Sequence, residues 1–224
     1  AYMLDEVAGQ DVGAFYSAPA QEQPFRDEIE RDPRKLKIAW STGEADGVKT
    51  HPDCIRAVEH AAKLCADLGH HVEEDHPRLS EELGATFGES FLGALAIETA
   101  QDANDLQELI GRTATRDDFE PTNWSFIEFG RTFSGTDAIR FRRNLHNVAR
   151  AVGPFFEDYD IYISPTLAKP PVPLGDIDTT CPDWSEFFTH MFEFMPFTSL
   201  FNVSGAAGVS LPLWWNDDGL PIGC

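Results

Sequence analysis

The sequence predicts an α/β protein, and three observations carry the prediction. Residues 36–75 read as strand, helix, strand over about forty residues, the spacing of a βαβ unit. Further strand signals at 160–166 and 209–215 follow long helical stretches rather than neighbouring strands. The composition is that of a folded domain: 224 residues, 42% hydrophobic, 25% charged and 12% aromatic, ample for a buried core.

The elements follow in order. Residues 14–34 hold three prolines and many charges, and read as a surface connection. Leu36-Lys37-Ile38-Ala39-Trp40-Ser41 is a short strand ended by Thr42-Gly43. A helix follows, with Thr50 as its expected cap, Pro52 in its first turn and Asp53 three residues after the cap. Cys54, Val58, Ala61, Cys65 and Leu68 form one apolar stripe, and Gly69 supplies the stop. His70 to Asp75 reads as an edge strand. From Ser80 to Leu109 the pattern is helical, with Leu83, Phe87, Phe91, Leu95 and Thr99 four apart.

Residues 111–123 are polar, contain Pro121, and read as a loop before a helix over 124–132. The next helix carries Phe141, Leu145, Val148 and Val152 on one face and Arg140, Arg142, Arg143 and Arg150 on the others. With Arg131, these arginines form a basic stripe that either pairs with the acidic surface or takes an anion. Asp160 to Thr166 is a short strand, residues 169–183 a proline-rich irregular loop, and 184–201 an aromatic segment. Asn202 to Gly208 reads as a small-residue turn, residues 209–215 as a strand, and Asn216-Asp217-Asp218-Gly219 as the turn of a closing hairpin.

Charge and motifs narrow the function. Seventeen basic against 38 acidic side chains leave a net −21. Such a surface repels phosphate backbones and anionic membranes, so neither nucleic acid nor a membrane is expected as a partner. Cys54, Cys65, Cys181 and Cys224 are scattered and expected to be reduced, consistent with a cytoplasmic location. Cys54 and Cys65 stand roughly 16 Å apart along one helix, beyond disulfide reach. His70, His71, Glu73, Glu74, Asp75 and His76 are metal-ligand types, but alternation splits them between two strand faces, so no metal is expected. No phosphate-binding, dinucleotide-binding or nucleophile-elbow pattern is present, and no cofactor is expected. The aromatic segment beside the small-residue turn is either a pocket wall or plain core.

One resemblance organises these pieces. The series runs Tyr159-Asp160-Ile161-Tyr162-Ile163-Ser164-Pro165-Thr166, then Phe197-Thr198-x-x-Phe201-Asn202-x-x-Gly205, then Val209-Ser210-Leu211-Pro212, and finally Gly219-Leu220-Pro221-Ile222-Gly223. In order and spacing it resembles the C-terminal half of the amidase signature family of serine hydrolases. Ala1 to Pro19 is similar to the segment that follows the family's catalytic region, and Lys35 to Glu74 to its next strand–helix–strand unit. Ala207 departs from the family's usual proline and leaves that backbone less constrained.

The resemblance implies a mixed β-sheet covered by helices on both faces, here as a single incomplete domain over 1–224. Residues 1–35 would be a peripheral leading segment and 36–224 the sheet and helical layers. It implies a Ser–cis-Ser–Lys mechanism in which a nucleophilic Ser attacks an amide carbonyl and backbone N–H groups hold the oxyanion. The family's lysine and glycine-rich loop lie before the segment matched by Ala1, and Lys35, Lys37, Lys49, Lys63 and Lys169 stand in no matching context. The chain opens at Ala1 without a start Met and stops in an apolar run at Cys224. It is therefore expected to be a piece of an amide hydrolase that supplies no catalytic residue itself. Phe197, Thr198 and Asn202 are the expected substrate-pocket residues, and the Phe- and Met-rich wall implies an apolar or linear aliphatic amide. A complementary N-terminal segment or a second copy is the expected protein partner. Two alternatives stay open: a tRNA-dependent amidotransferase subunit, and a binding module that lost its active site.

Overall fold

A three-stranded parallel sheet organises most of the chain. The computed structural model describes residues 1–16, 18–43 and 47–224, in two units, Ala1–Leu36 and Lys37–Cys224. In the second unit β1 (Lys37–Trp40) is central, flanked by β2 (His71–Glu74) and β3 (Ile161–Ile163). Ile38 faces Val72 on one side and Ile161 on the other. Ile38 and Ala39 point to opposite faces of the sheet, and both are fully buried. Both faces of β1 are thus covered, as parallel strands require.

The first crossover helix, α3 (Pro52–Asp67), packs Cys54, Ala57, Val58, Ala61 and Ala62 inward. Its cap is His51, whose Nδ1 accepts from the Asp53 N–H. Thr50, the expected cap, instead donates its hydroxyl to the Thr42 carbonyl at 2.7 Å. β2 is an edge strand, and the Tyr159 hydroxyl donates towards its Glu73 and towards Asp75 just past it, at 2.7 and 3.0 Å. Among the described residues no group of three or more His, Cys, Asp or Glu is placed to hold a metal ion.

A helical layer separates β2 from β3. Its spine is α4 (Glu81–Ile110), capped by the Ser80 hydroxyl and closed at Gly111. The buried stripe is Ser90, Gly93, Ala96, Ala100 and Ala103, not the large residues that the four-residue spacing picks out. Small residues face inward because α5 (Pro121–Gly130) and α6 (Gly135–Val152) cross α4 closely. A Cβ on Gly130 would overlap the Ala96 carbonyl, and one on Gly93 would overlap the Phe141 ring. Pro121 opens α5 at its first turn rather than lying in a loop, because the first helical position needs no N–H. α6 buries Phe141, Val148 and Val152, and Ser134 and Asp137 form a reciprocal capping box at its start. α7 (Phe155–Asp158) leads into β3.

The aromatic segment folds as α8 (Trp184–Phe194) and α9 (Thr198–Ser204). Phe188 meets Phe126 of α5 at 4.7 Å between centroids, and Trp184 stacks on Phe129 at 4.2 Å. Much of this segment is therefore core. α9 runs on to Ser204 and closes at Gly205, so Asn202 lies in a helix and not in a turn. The closing hairpin pairs β4 (Trp214–Trp215) with β5 (Pro221–Ile222). The strand expected over 209–215 shortens to these two residues because Pro212 has no N–H for a ladder; Leu211 still exchanges backbone hydrogen bonds with Cys224 at 2.9 and 3.2 Å.

The first unit holds α1 (Tyr2–Val7) and α2 (Phe25–Glu28). The Asp5 carboxylate accepts from the Phe25 and Arg26 N–H groups at 2.6 and 3.1 Å, tying the two together.

Candidate functional site

The segments leaving the carboxyl ends of all three parallel strands meet at one cavity of about 430 Å³. Val48 comes from the segment after β1, Pro77, Leu79 and Ser80 from that after β2, and Ser164 from that after β3. The remaining wall is the start of α4, with Gly84 and Phe87, and Pro196, Phe197, Ser199, Leu200 and Phe201 around the start of α9. The sheet order β2-β1-β3 reverses direction between β1 and β3. Open α/β sheets hold small molecules at such a reversal, outside the carboxyl ends of the strands.

Phe197 is a wall of this cavity. Its ring lies against Gly43, whose φ of +83° and lack of a side chain are both needed there: a Cβ would overlap the ring. The backbone behind it is fixed. The Gly43 N–H donates to the Ser41 hydroxyl at 3.0 Å, and the Val48 N–H donates to the Gly43 carbonyl at 3.2 Å. Tyr162 of β3, also lining the cavity, stands 5.7 Å from the Phe201 ring.

The structure brings only one of the three expected pocket residues to the cavity. Thr198 and Asn202 lie one turn apart on α9, outside its lining; Asn202 is exposed. Residues that sequence reasoning missed are Tyr162, Ser164, Phe87 and Ser80. The signal that could have found two of them is the strand-end rule, since Tyr162 and Ser164 sit at the carboxyl end of β3.

The cavity walls are mostly apolar, with hydroxyls from Ser80, Tyr162, Ser164 and Ser199. Among the described residues that line it there is no cysteine, and Cys54, Cys65, Cys181 and Cys224 are free. Burial, with a smaller push from Asp53, raises the Cys54 thiol to about 11. Burial likewise raises Cys65 and Cys224. These groups stay protonated at neutral pH, and a protonated thiol is a poor nucleophile. Among the described residues no helix is long and apolar enough to cross a membrane.

Sheet, helical layers and crevice together define an α/β domain with a cavity at its strand ends. A family model for amidases matches residues 1–224, and the chain belongs to that family. It is 29% identical over 231 residues to the 6-aminohexanoate-cyclic-dimer hydrolase of Paenarthrobacter ureafaciens, covering 100% of this chain and 46% of that protein. A solved structure of a 6-aminohexanoate cyclic dimer hydrolase complexed with substrate superposes with a TM-score of 0.89 at 28% identity, covering 99% of this chain and 47% of the other. A bacterial aryl acylamidase of the amidase signature enzymes shares the fold, at a TM-score of 0.68 and 20% identity over 92% of this chain and 42% of the other. The chain spans about half the length of the curated relatives it matches.

Proposed function

We propose that this chain is part of an amide hydrolase, cleaving a C–N bond to a carboxylate and an amine or ammonia, and that it supplies the wall of the acyl pocket. The observation that carries the reading is the convergence of three strand-end segments on one largely apolar cavity in a chain of the amidase family. The apolar wall suits a linear or cyclic aliphatic amide, and the name of the hydrolase from Paenarthrobacter ureafaciens points the same way. The reading assigns the nucleophile and its base to residues outside this chain. Its support here is that Lys37, Lys63 and Lys169 each sit beside a carboxylate, at 3.3, 2.6 and 3.5 Å. None of the three is among the described residues that line the cavity. Phe197 is the pocket residue in this reading, while Thr198 and Asn202 support the helix that carries it.

The test is hydrolysis by the amidase containing this chain, offered the cyclic dimer of 6-aminohexanoate, a linear aliphatic amide and an aryl amide. Aliphatic substrates are expected to turn over fastest. Phe197→Ala is expected to raise KM for them about tenfold, the scale of one lost apolar side-chain contact, with kcat less affected. Activity on aminoacyl-tRNA and none on free amides would instead point to an amidotransferase subunit. Binding of amides without hydrolysis would point to a binding module.

A further inference from the structure

The cavity carries a single charged side chain among the described residues that line it, and we propose that this residue, Glu81, reads the far end of the substrate by receiving the protonated amine of an ω-amino aliphatic amide. The assignment rests on the amide-hydrolase reading and goes beyond it by naming the group that ends the aliphatic chain.

Ser80, Glu81, Gly84 and Phe87 all line the cavity, and their spacings of three and four place them on one helical face. Gly84 leaves room beside Glu81: no atom lies within 4 Å of where its Cβ would stand. Phe87, Phe197 and Leu200 offer apolar surface for methylenes. Glu81 itself is exposed, so its carboxylate is a solvent-screened charge at the rim of that surface. Among the described residues no Lys or Arg lines the cavity to neutralise it, and the net charge of −21 adds a field of the same sign. An anionic substrate end would be repelled by both.

An acid at position 81 also has a purely helical use, since the first turn of a helix favours negative charge. Glu82 shares that first turn but does not line the cavity. It is the control that separates the two roles.

The experiment uses the amidase containing this chain and three linear amides of equal length, ending in a primary amine, a methyl group or a carboxylate. The native enzyme is expected to prefer the amine, with the carboxylate poorest. Glu81→Gln is expected to shrink the amine-to-methyl ratio of kcat/KM about fivefold, mainly through KM, the scale of one solvent-accessible ion pair. Added salt is expected to shrink the same ratio in the native enzyme. Glu82→Gln should keep the native ratio, and Glu81→Asp should hold it closer to native than Gln does. Equal ratios in the Glu81→Gln and Glu82→Gln enzymes, or no amine preference in the native one, would overturn the assignment. Failure of all three amides to be hydrolysed would remove the amide-hydrolase reading, and this assignment with it.

Discussion

Gly43 is the residue on which the cavity wall leans hardest. It turns the chain with a φ of +83° just past β1, and the Phe197 ring occupies the space its side chain would need. Alanine there meets two costs at once, an unfavourable left-handed backbone and overlap with the half-buried Phe197 ring. Gly43→Ala is expected to lower stability by about 3 kcal/mol, summing backbone strain and overpacking. The displaced Phe197 should also weaken binding of an aliphatic amide. Chemical denaturation and KM check the two halves separately; a variant as stable as the native protein would show that Phe197 swings aside freely. At this scale the sequence was partly legible. Phe197 stood out through its motif, but the contact between Gly43 and Phe197 spans residues too distant in sequence for any local pattern to report. Tyr162 and Ser164 read only as strand and turn. Asn202 read as a turn residue because Ser204, Gly205 and Gly208 cluster after it, yet the helix runs on to Ser204 before Gly205 ends it.

At the scale of elements, periodicity located the helices well and chose their buried faces less well. α6 kept its expected face, since Phe141, Val148 and Val152 are all buried. α4 did not, because close crossing by α5 and α6 selects side chains that take little space, and a hydrophobic pattern weights large ones. The start of α6 also carries a measurable pH dependence. The Ser134 hydroxyl and N–H, then Arg140, hold the Asp137 carboxyl down at about 2 against an ordinary 3.8. A carboxyl depressed on folding contributes stability that is fully present above its unfolded value and lost as pH falls through the folded one. Replacing Asp137 by Asn should therefore destabilise the protein at pH 7 and at pH 5. The gap to the native protein should close between pH 4 and about 2. Denaturation midpoints of both proteins at pH 7, 4 and 2.5 give the comparison, and a gap that widens towards acid would mean the capping box draws little on the carboxylate's charge.

For the molecule as a whole, the accessible surface is the telling quantity. In the first unit apolar side chains stand out: Met3, Val12 and Phe15 are 81%, 98% and 100% exposed, and neither α1 nor α2 buries a residue. Surface of that kind is normally covered by something. In the amide-hydrolase reading proposed above, what covers it is the part of the domain that the relatives, about twice as long, have beyond the matched half. Two consequences are expected together. Purified alone, the 224-residue chain should bind a hydrophobic dye and self-associate at micromolar concentration. It should also hydrolyse no amide, since acyl transfer needs nucleophile, base and oxyanion donors in one constellation. Co-expressed with the remaining part of the domain, it should become monodisperse, lose dye binding and gain amidase activity in the same fractions. Turnover by the chain alone that disappears on mutating one of its own serines would place the nucleophile within residues 1–224 and overturn this division of labour. A chain that stays monomeric and dye-free by itself would mean that its apolar leading segment folds back to cover its own exposed residues.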